Sequence, residues 1–282
     1  MELVLHLGAH NTDNRAIVEL LKANGETLAR SGIEAPQQDR FRPILREALK
    51  KAAEGPAPET GHIALDAIID HDRTRRAILV NEHFLGVPAR VIVRGRFYPG
   101  ALDRLAGLRR LFADLPMAFN LTVRNPATLV PAIFDGLPDD EFREFFEVAD
   151  IPGALWSEFV RRIRDAFPDV PLSVTAYEDL PLVWTQVIAR LTGLEDPFGL
   201  EGVNAYVGAL MEPGGLERME NYMEWHPPET HEEWRKIAEA FLDRYLAEDA
   251  ASMEIGLPGW TADWVAAISA AYEDDLERIA GM

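Results

Sequence analysis

The chain has 282 residues, of which 28 are Lys or Arg and 47 are Asp or Glu, for a formal charge of −19, and it contains no cysteine. With 48% hydrophobic and 27% charged residues it can bury a core, which excludes the disordered and low-complexity classes. The acidic balance argues against non-specific nucleic-acid binding and against docking on an anionic membrane, and the lack of cysteine removes disulfides, thiolate metal sites and a cysteine nucleophile.

Leu3–Leu7 is a nearly continuous apolar run, short enough for a strand buried on both faces. The residues Gly8-Ala9-His10-Asn11-Thr12 form a turn, and Asp13 stands where a helix N-cap belongs. Ile17, Leu20, Leu21 and Leu28 predict one helical face, with Gly32 at the stop. A helix is predicted over 42–51, a break over 54–59 and a second short helix over 63–71. Ala77–Val80 predicts a buried strand ending at Asn81-Glu82-His83, and Val91–Val93 an edge strand or hairpin arm.

Leucine spacing predicts a helix over 102–115, followed by a third main strand over 117–123 that runs into Arg124-Asn125-Pro126. Helices over 142–149 and 155–167 precede a fourth strand over 172–176, and the chain is mostly helical from Leu180 onward. Trp264, Ile268, Tyr272 and Leu276, at steps of four, mark the last helix. There is no internal repeat or linker, so the expectation is one α/β domain over residues 1–282. No run approaches the roughly 20 apolar residues of a membrane span. The start, Met1-Glu2 leading into a stretch broken by His6, predicts no signal peptide, and the compartment expected is the cytoplasm.

In parallel α/β sheets ligands sit beyond the carboxyl ends of the strands, where a helix N-terminus attracts anions. GAHNTDNR occupies that place but lacks the lysine and second glycine of a nucleotide-phosphate loop. Asp13 is expected to cap the helix amides itself, so an arriving phosphate would meet like charge and occupied donors.

The segment LHLGAHNTDNRAIVELLKANGETLARSGI resembles the opening of P-loop sulfotransferases, whose bacterial members read roughly LHxGxxKTGTTxLqxxLxxNxxxLxxxGI. Four further pieces follow in the family's order: Ile78–Glu82, Phe119–Arg124 with Asn125-Pro126, Val174–Leu180 with its Tyr-Glu-Asp-Leu, and Tyr272–Leu276. The resemblance implies a three-layer fold, with a central parallel sheet flanked by helices and a helical C-terminal third. It also implies transfer of the sulfuryl group of 3′-phosphoadenosine 5′-phosphosulfate to a hydroxyl or amine.

The family's roles fall unevenly on this chain. Its loop lysine falls on Asn11, its loop glycine on Asp13, and its two following threonines on Asn14 and Arg15; Thr12 keeps its type. The arginine of the 3′-phosphate site matches Arg124, while the serine eight residues later falls on Ala132. The family's late basic loop has no counterpart, and Glu217–Glu224 is acidic. Losing several charge-assisted bonds of about 1.5–3 kcal/mol each costs orders of magnitude in donor affinity. The expectation is therefore a degenerate sulfotransferase homologue with weak or no standard sulfuryl transfer. Its alternatives are an active enzyme with a non-standard donor site, a non-enzymatic binding protein, or an enzyme on another ligand in the same crevice.

The candidate donor-binding residues are His10, Asn11, Thr12, Arg15 and Arg124, and the candidate bases are Glu82 and His83. Each also has a structural reading. Glu82 caps the next segment or pairs with an arginine, His83 packs at a strand end, His10 orders the turn, and Arg124 joins an ion pair. No metal is expected, since His226 and His231 flank two prolines and miss the usual ligand spacings. The aromatic stretch Tyr222–Trp234 is expected to be a loop pinned by its tryptophans rather than a lid. A small-molecule ligand, neither nucleic acid nor membrane, is the partner expected; oligomeric state is not readable.

Overall fold

The computed structural model describes residues 1–135, 139–248 and 260–282. At its centre lies a five-stranded, all-parallel sheet in the order β2-β3-β1-β6-β7: Ile33–Glu34, Arg76–Val80, Glu2–His6, Met117–Val123 and Leu172–Ala176. β1 pairs Val4 with Ile78 on one side and with Ala118 on the other, and β6 pairs Leu121 with Val174 on β7. A two-stranded hairpin of β4 (Ile92–Val93) and β5 (Arg96–Phe97) stands apart from the sheet.

Alternate side chains of a strand point to opposite faces, and here both faces are apolar. Leu3 and Leu5 of β1, Ala77 and Leu79 of β3, and Phe119 and Leu121 of β6 enter one core. That core is covered by helices α3 (Gln38–Lys51), α4 (Ala57–Asp66), α5 (Ala101–Leu111), α6 (Pro126–Phe134), α7 (Asp139–Ala149) and α8 (Trp156–Ala166), and by the C-terminal helix Ala262–Ala280. Val4, Ile78 and Val80 enter the opposite core, built by α1 (Asn14–Ala23), α2 (Gly25–Arg30), α9 (Leu180–Thr192), α10 (Ala205–Gly208), α11 (Gly215–Trp225) and α12 (His231–Tyr245). Helices on both faces explain why the strands read as continuous apolar runs.

Several elements depart from expectation. The helix expected from Asp13 to Gly32 is two helices, because Asn24 turns inward and acts as a bracket. Its amide donates to Leu20 O and Glu201 O at 2.9 Å, and its oxygen accepts from Glu201 N at 2.8 Å. The break expected over 54–59 ends early, since α4 begins at Ala57 directly after Pro56. Tyr222–Trp234 is a loop only over 226–230: Tyr222, Met223 and Trp225 end α11, and Trp234 lies in α12. Trp234 is fully buried with its indole N–H on Asn204 Oδ1 at 2.9 Å, whereas Trp225 is 83% exposed. The edge strand β2 and helix α6 had no distinct signal in the sequence. Gly32 stops α2 at φ +69°, as its position predicts.

Candidate functional site

The chain runs from β1 to the β3 side of the sheet and later returns to β6 on β1's other side, so the strand order reverses at the carboxyl end of β1. A ligand crevice belongs at such a point. Gly8–Asp13 leaves β1 there, with Gly8 at φ +51° and Asn11 at φ +53° making the two sharp bends. Leu7 N and Ala9 N donate to Asn120 O and Thr122 O, so the loop follows β6 closely.

Almost every side chain of this loop is engaged inside the protein. Tyr98, held at φ +42° after the hairpin, places its hydroxyl 3.1 Å from His10 N and 2.9 Å from His10 Nδ1. The hydroxyl accepts from the backbone amide and is hydrogen-bonded to the ring Nδ1, while the ring Nε2 is buried with no partner among the described residues. Burial, and then the neighbouring His83, lower the His10 imidazole to about 4, so it is neutral at pH 7. Burial, with the charge of Glu82 adding to it, raises the Tyr98 hydroxyl above its ordinary range.

Asn11 donates its amide to Ala132 O. The Thr12 hydroxyl lies 2.8 Å from Ala9 O and 2.9 Å from Asp13 Oδ1. The side chain of Asn14 lies outside the described residues. Arg15 is on the surface, its Nε on Glu19 Oε1 at 2.9 Å, one turn along α1.

Asp13 stands at the N-cap position of α1, but its side chain makes no capping bond. This corrects the sequence expectation. The carboxylate is turned away from the helix amides into the protein, fully buried. It receives His6 Nε2 at 3.2 Å, Thr122 Oγ1 at 2.7 Å and the Thr12 hydroxyl. Burial would raise this carboxyl; the His6 ring, by charge and hydrogen bond, and the two hydroxyls outweigh it and hold the carboxyl below its ordinary 3.8. Three donors around one buried oxygen pair are a stronger draw than frayed helix amides that water also reaches.

Arg124, at the end of β6, is buried and props the loop from the other side. Its guanidinium donates through one terminal nitrogen to Asn11 O and through Nε to Thr128 Oγ1 at 3.0 Å, and lies 4.4 Å over the Tyr177 ring. Burial lowers its pKa, opposed by Tyr177 and Glu178; a guanidinium stays charged even so. The matched segments around it converge. Glu178 accepts from Asn125 N at 2.9 Å and from the Tyr272 hydroxyl at 2.8 Å. Asp275, one turn on, accepts from Ser157 N and from the Ser157 hydroxyl, capping α8 from another helix.

On the β3 side, Asn81 Oδ1 accepts from His83 N at 3.2 Å and starts a short 3₁₀ turn over Glu82–Phe84. The two candidate bases then part company. Glu82 faces a hollow of about 610 Å³ also lined by Asn11, Thr12 and Arg15, and among the described residues its carboxylate has no hydrogen-bond or ion-pair partner. His83 faces a second hollow, of about 620 Å³, between α3 and α5. Its Nδ1 is 3.2 Å from Gly86 O; a carbonyl only accepts, so the neutral ring keeps its lone pair on Nε2. Gln38 and Asp39 line both hollows, making one divided crevice.

The site therefore brings together His10, Asn11, Thr12, Arg124, Glu82 and His83, with Arg15 at its rim. Sequence reasoning missed Tyr98, Thr122 and Tyr177, whose partners lie far away in the chain. Among the described residues no group of three His, Asp or Glu side chains is arranged to hold a metal, and no helix is long and apolar enough to cross a membrane. No protein-family model matches the chain, and no curated protein matches it.

Proposed function

We propose that this chain is a sulfotransferase-like protein whose donor loop has closed on its own protein, so that standard sulfuryl transfer from 3′-phosphoadenosine 5′-phosphosulfate is weak or absent. The observation that carries this reading is the internal use of the loop: His10 by Tyr98, the Asn11 amide by Ala132 O, the Asn11 carbonyl by Arg124 and the Thr12 hydroxyl by Ala9 and Asp13. A polyanionic donor needs those groups, and a lysine, free to meet it. The buried negative charge of Asp13 beneath the loop adds to the repulsion.

On the β3 side the crevice keeps unspent groups, the Glu82 carboxylate and the His83 Nε2 lone pair, either able to take a proton from a bound hydroxyl or amine. That favours, as a second reading, binding or chemistry on another small molecule in the same crevice. The place of action proposed is the cytoplasm, with a small-molecule ligand rather than nucleic acid or membrane as partner.

The test is a thermal melt at low salt with adenosine 3′,5′-bisphosphate. The expected result is no stabilisation of the wild type, where a site filled at 100 times its dissociation constant would add about 2.7 kcal/mol. Asn11→Lys, which restores the missing cation and releases Ala132 O, should create measurable binding. Tight binding by the wild type at the loop after β1 would overturn the reading.

A further inference from the structure

The hollow between α3 and α5 carries a charge unlike that of the molecule. Four arginines line it, Arg42 and Arg46 from α3 and Arg104 and Arg110 from α5, against only Asp39 and Asp103. The local excess is two positive charges on a chain whose formal charge is −19. Asp39 spends one carboxylate oxygen on the Arg40 amide at 2.8 Å. Among the described residues none of the four guanidinium groups has a carboxylate or other hydrogen-bond partner, whereas others on the surface do, as Arg109 has with Asp169 and Arg235 with Glu232.

The arrangement works against helix stability. Arg42 and Arg46 are four residues apart in α3, so they share a face and repel each other. In a protein rich in acidic residues, carboxylates to neutralise them are abundant elsewhere on the surface. Gly107 lets the two helices close on the hollow, since a Cβ there would lie 3.2 Å from Leu49 Cδ2. Asn81 and the His83 ring line the same hollow where β3 ends. Guanidinium forks on both walls of a concave site suit oxyanions, which they bind bidentately.

We infer that this hollow is the binding site for a small molecule bearing at least two oxyanion groups, carboxylate, phosphate or sulfate, held by Arg42, Arg46, Arg104 and Arg110 with a reactive or recognised group toward His83. The inference rests on the reading above that the β3 side of the crevice is the ligand side, and it names the class of that ligand.

The experiment is isothermal titration at low salt with inorganic pyrophosphate and, separately, with tricarballylate. The proteins are the wild type, the doubles Arg42→Gln/Arg46→Gln and Arg104→Gln/Arg110→Gln, and a control double, Arg73→Gln/Arg161→Gln, that removes the same charge from the open surface. One probe or the other should bind one per chain, weaken by about tenfold or more in each cleft double, and keep its affinity in the control. Circular dichroism melts confirm that the variants are folded. No binding of either probe, or equal weakening in the control, overturns the inference.

Adenosine 3′,5′-bisphosphate titrated into the same proteins separates the two proposals. Nucleotide binding that persists in both cleft doubles overturns the closed donor loop and leaves the anion result to be judged by the probes. Nucleotide binding that disappears with the arginines is anion capture by the hollow and supports it.

Discussion

The Asp13 carboxylate accepts a hydrogen bond from Thr122 Oγ1 at 2.7 Å, joining residues 109 apart in sequence and fastening the loop after β1 to the neighbouring strand β6. Together with His6 and Thr12 it forms a buried polar cluster directly beneath the crevice. Two consequences can be measured, one for stability and one for its pH dependence.

Removing the carboxylate strands its partners. Asp13→Ala leaves the His6 Nε2 and the Thr122 hydroxyl without their acceptor in a dry site, while Thr12 keeps Ala9 O, and should cost about 2–5 kcal/mol in a denaturant melt. The Asp13 pKa is depressed in the fold, so its contribution is complete above the unfolded value near 3.8 and is lost as pH falls below that. Asp13→Asn should accordingly show a shallower loss of stability than the wild type as pH falls below 3.8. An unchanged acid limb would mean that the carboxylate is not the acid-sensitive element.

His10 makes a separate prediction in a different pH window. Its folded pKa, about 4, lies below the ordinary 6.5, so the unfolded chain takes up a proton before the folded one does. Stability should be unaffected above pH 6.5 and fall progressively between 6.5 and 4, by at most about 3 kcal/mol from this group. His10→Gln should flatten that segment of the curve. A direct check is the imidazole titration by nuclear magnetic resonance; a midpoint near 6.5 would refute the buried, neutral ring. Tyr98→Phe removes the hydroxyl that serves both the His10 amide and its ring, and should cost about 1–3 kcal/mol.

Arg124 tests whether the loop is held from the β6 side. Arg124→Lys keeps the charge but cannot reproduce a fork that reaches Asn11 O and Thr128 while lying on Tyr177. The expected cost is about 1–2 kcal/mol, with faster amide exchange at residues 10–13 as the local readout. Exchange that stays as slow as in the wild type would assign the loop's order to its other contacts.

Gly61 gives a prediction whose sign depends on tertiary structure. By helix propensity alone, Gly→Ala inside α4 should stabilise by about 1 kcal/mol. A Cβ at this position would lie 2.0 Å from Leu111 O and 2.9 Å from Leu111 C, backbone atoms at the end of α5 that cannot swing aside. Gly61→Ala should therefore destabilise, by about 2 kcal/mol or more, as α4 is pushed off α5. A raised melting temperature would contradict the close packing of these helices.

The amino-acid order determined the sheet and most of its helices. The runs at Leu3–Leu7, Ala77–Val80 and Met117–Val123 are apolar on both faces, which is what a parallel strand between two helical layers demands, and Gly32 stops α2 where a left-handed residue is needed. It also marked out the positions around the crevice, because residues at strand ends face it whatever their chemistry. The tertiary structure alone decided what those residues do. Periodicity reports a residue's own neighbours along the chain, whereas a buried polar group is satisfied by whatever lies nearest in space. Asn24 breaks a helix that its neighbours would continue because Glu201 waits 177 residues away, Tyr98 claims His10 across 88, and Asp13 leaves the helix amides for His6 and Thr122. The same physics left Arg42, Arg46, Arg104 and Arg110 legible only as scattered surface charges until α3 and α5 brought them around one hollow.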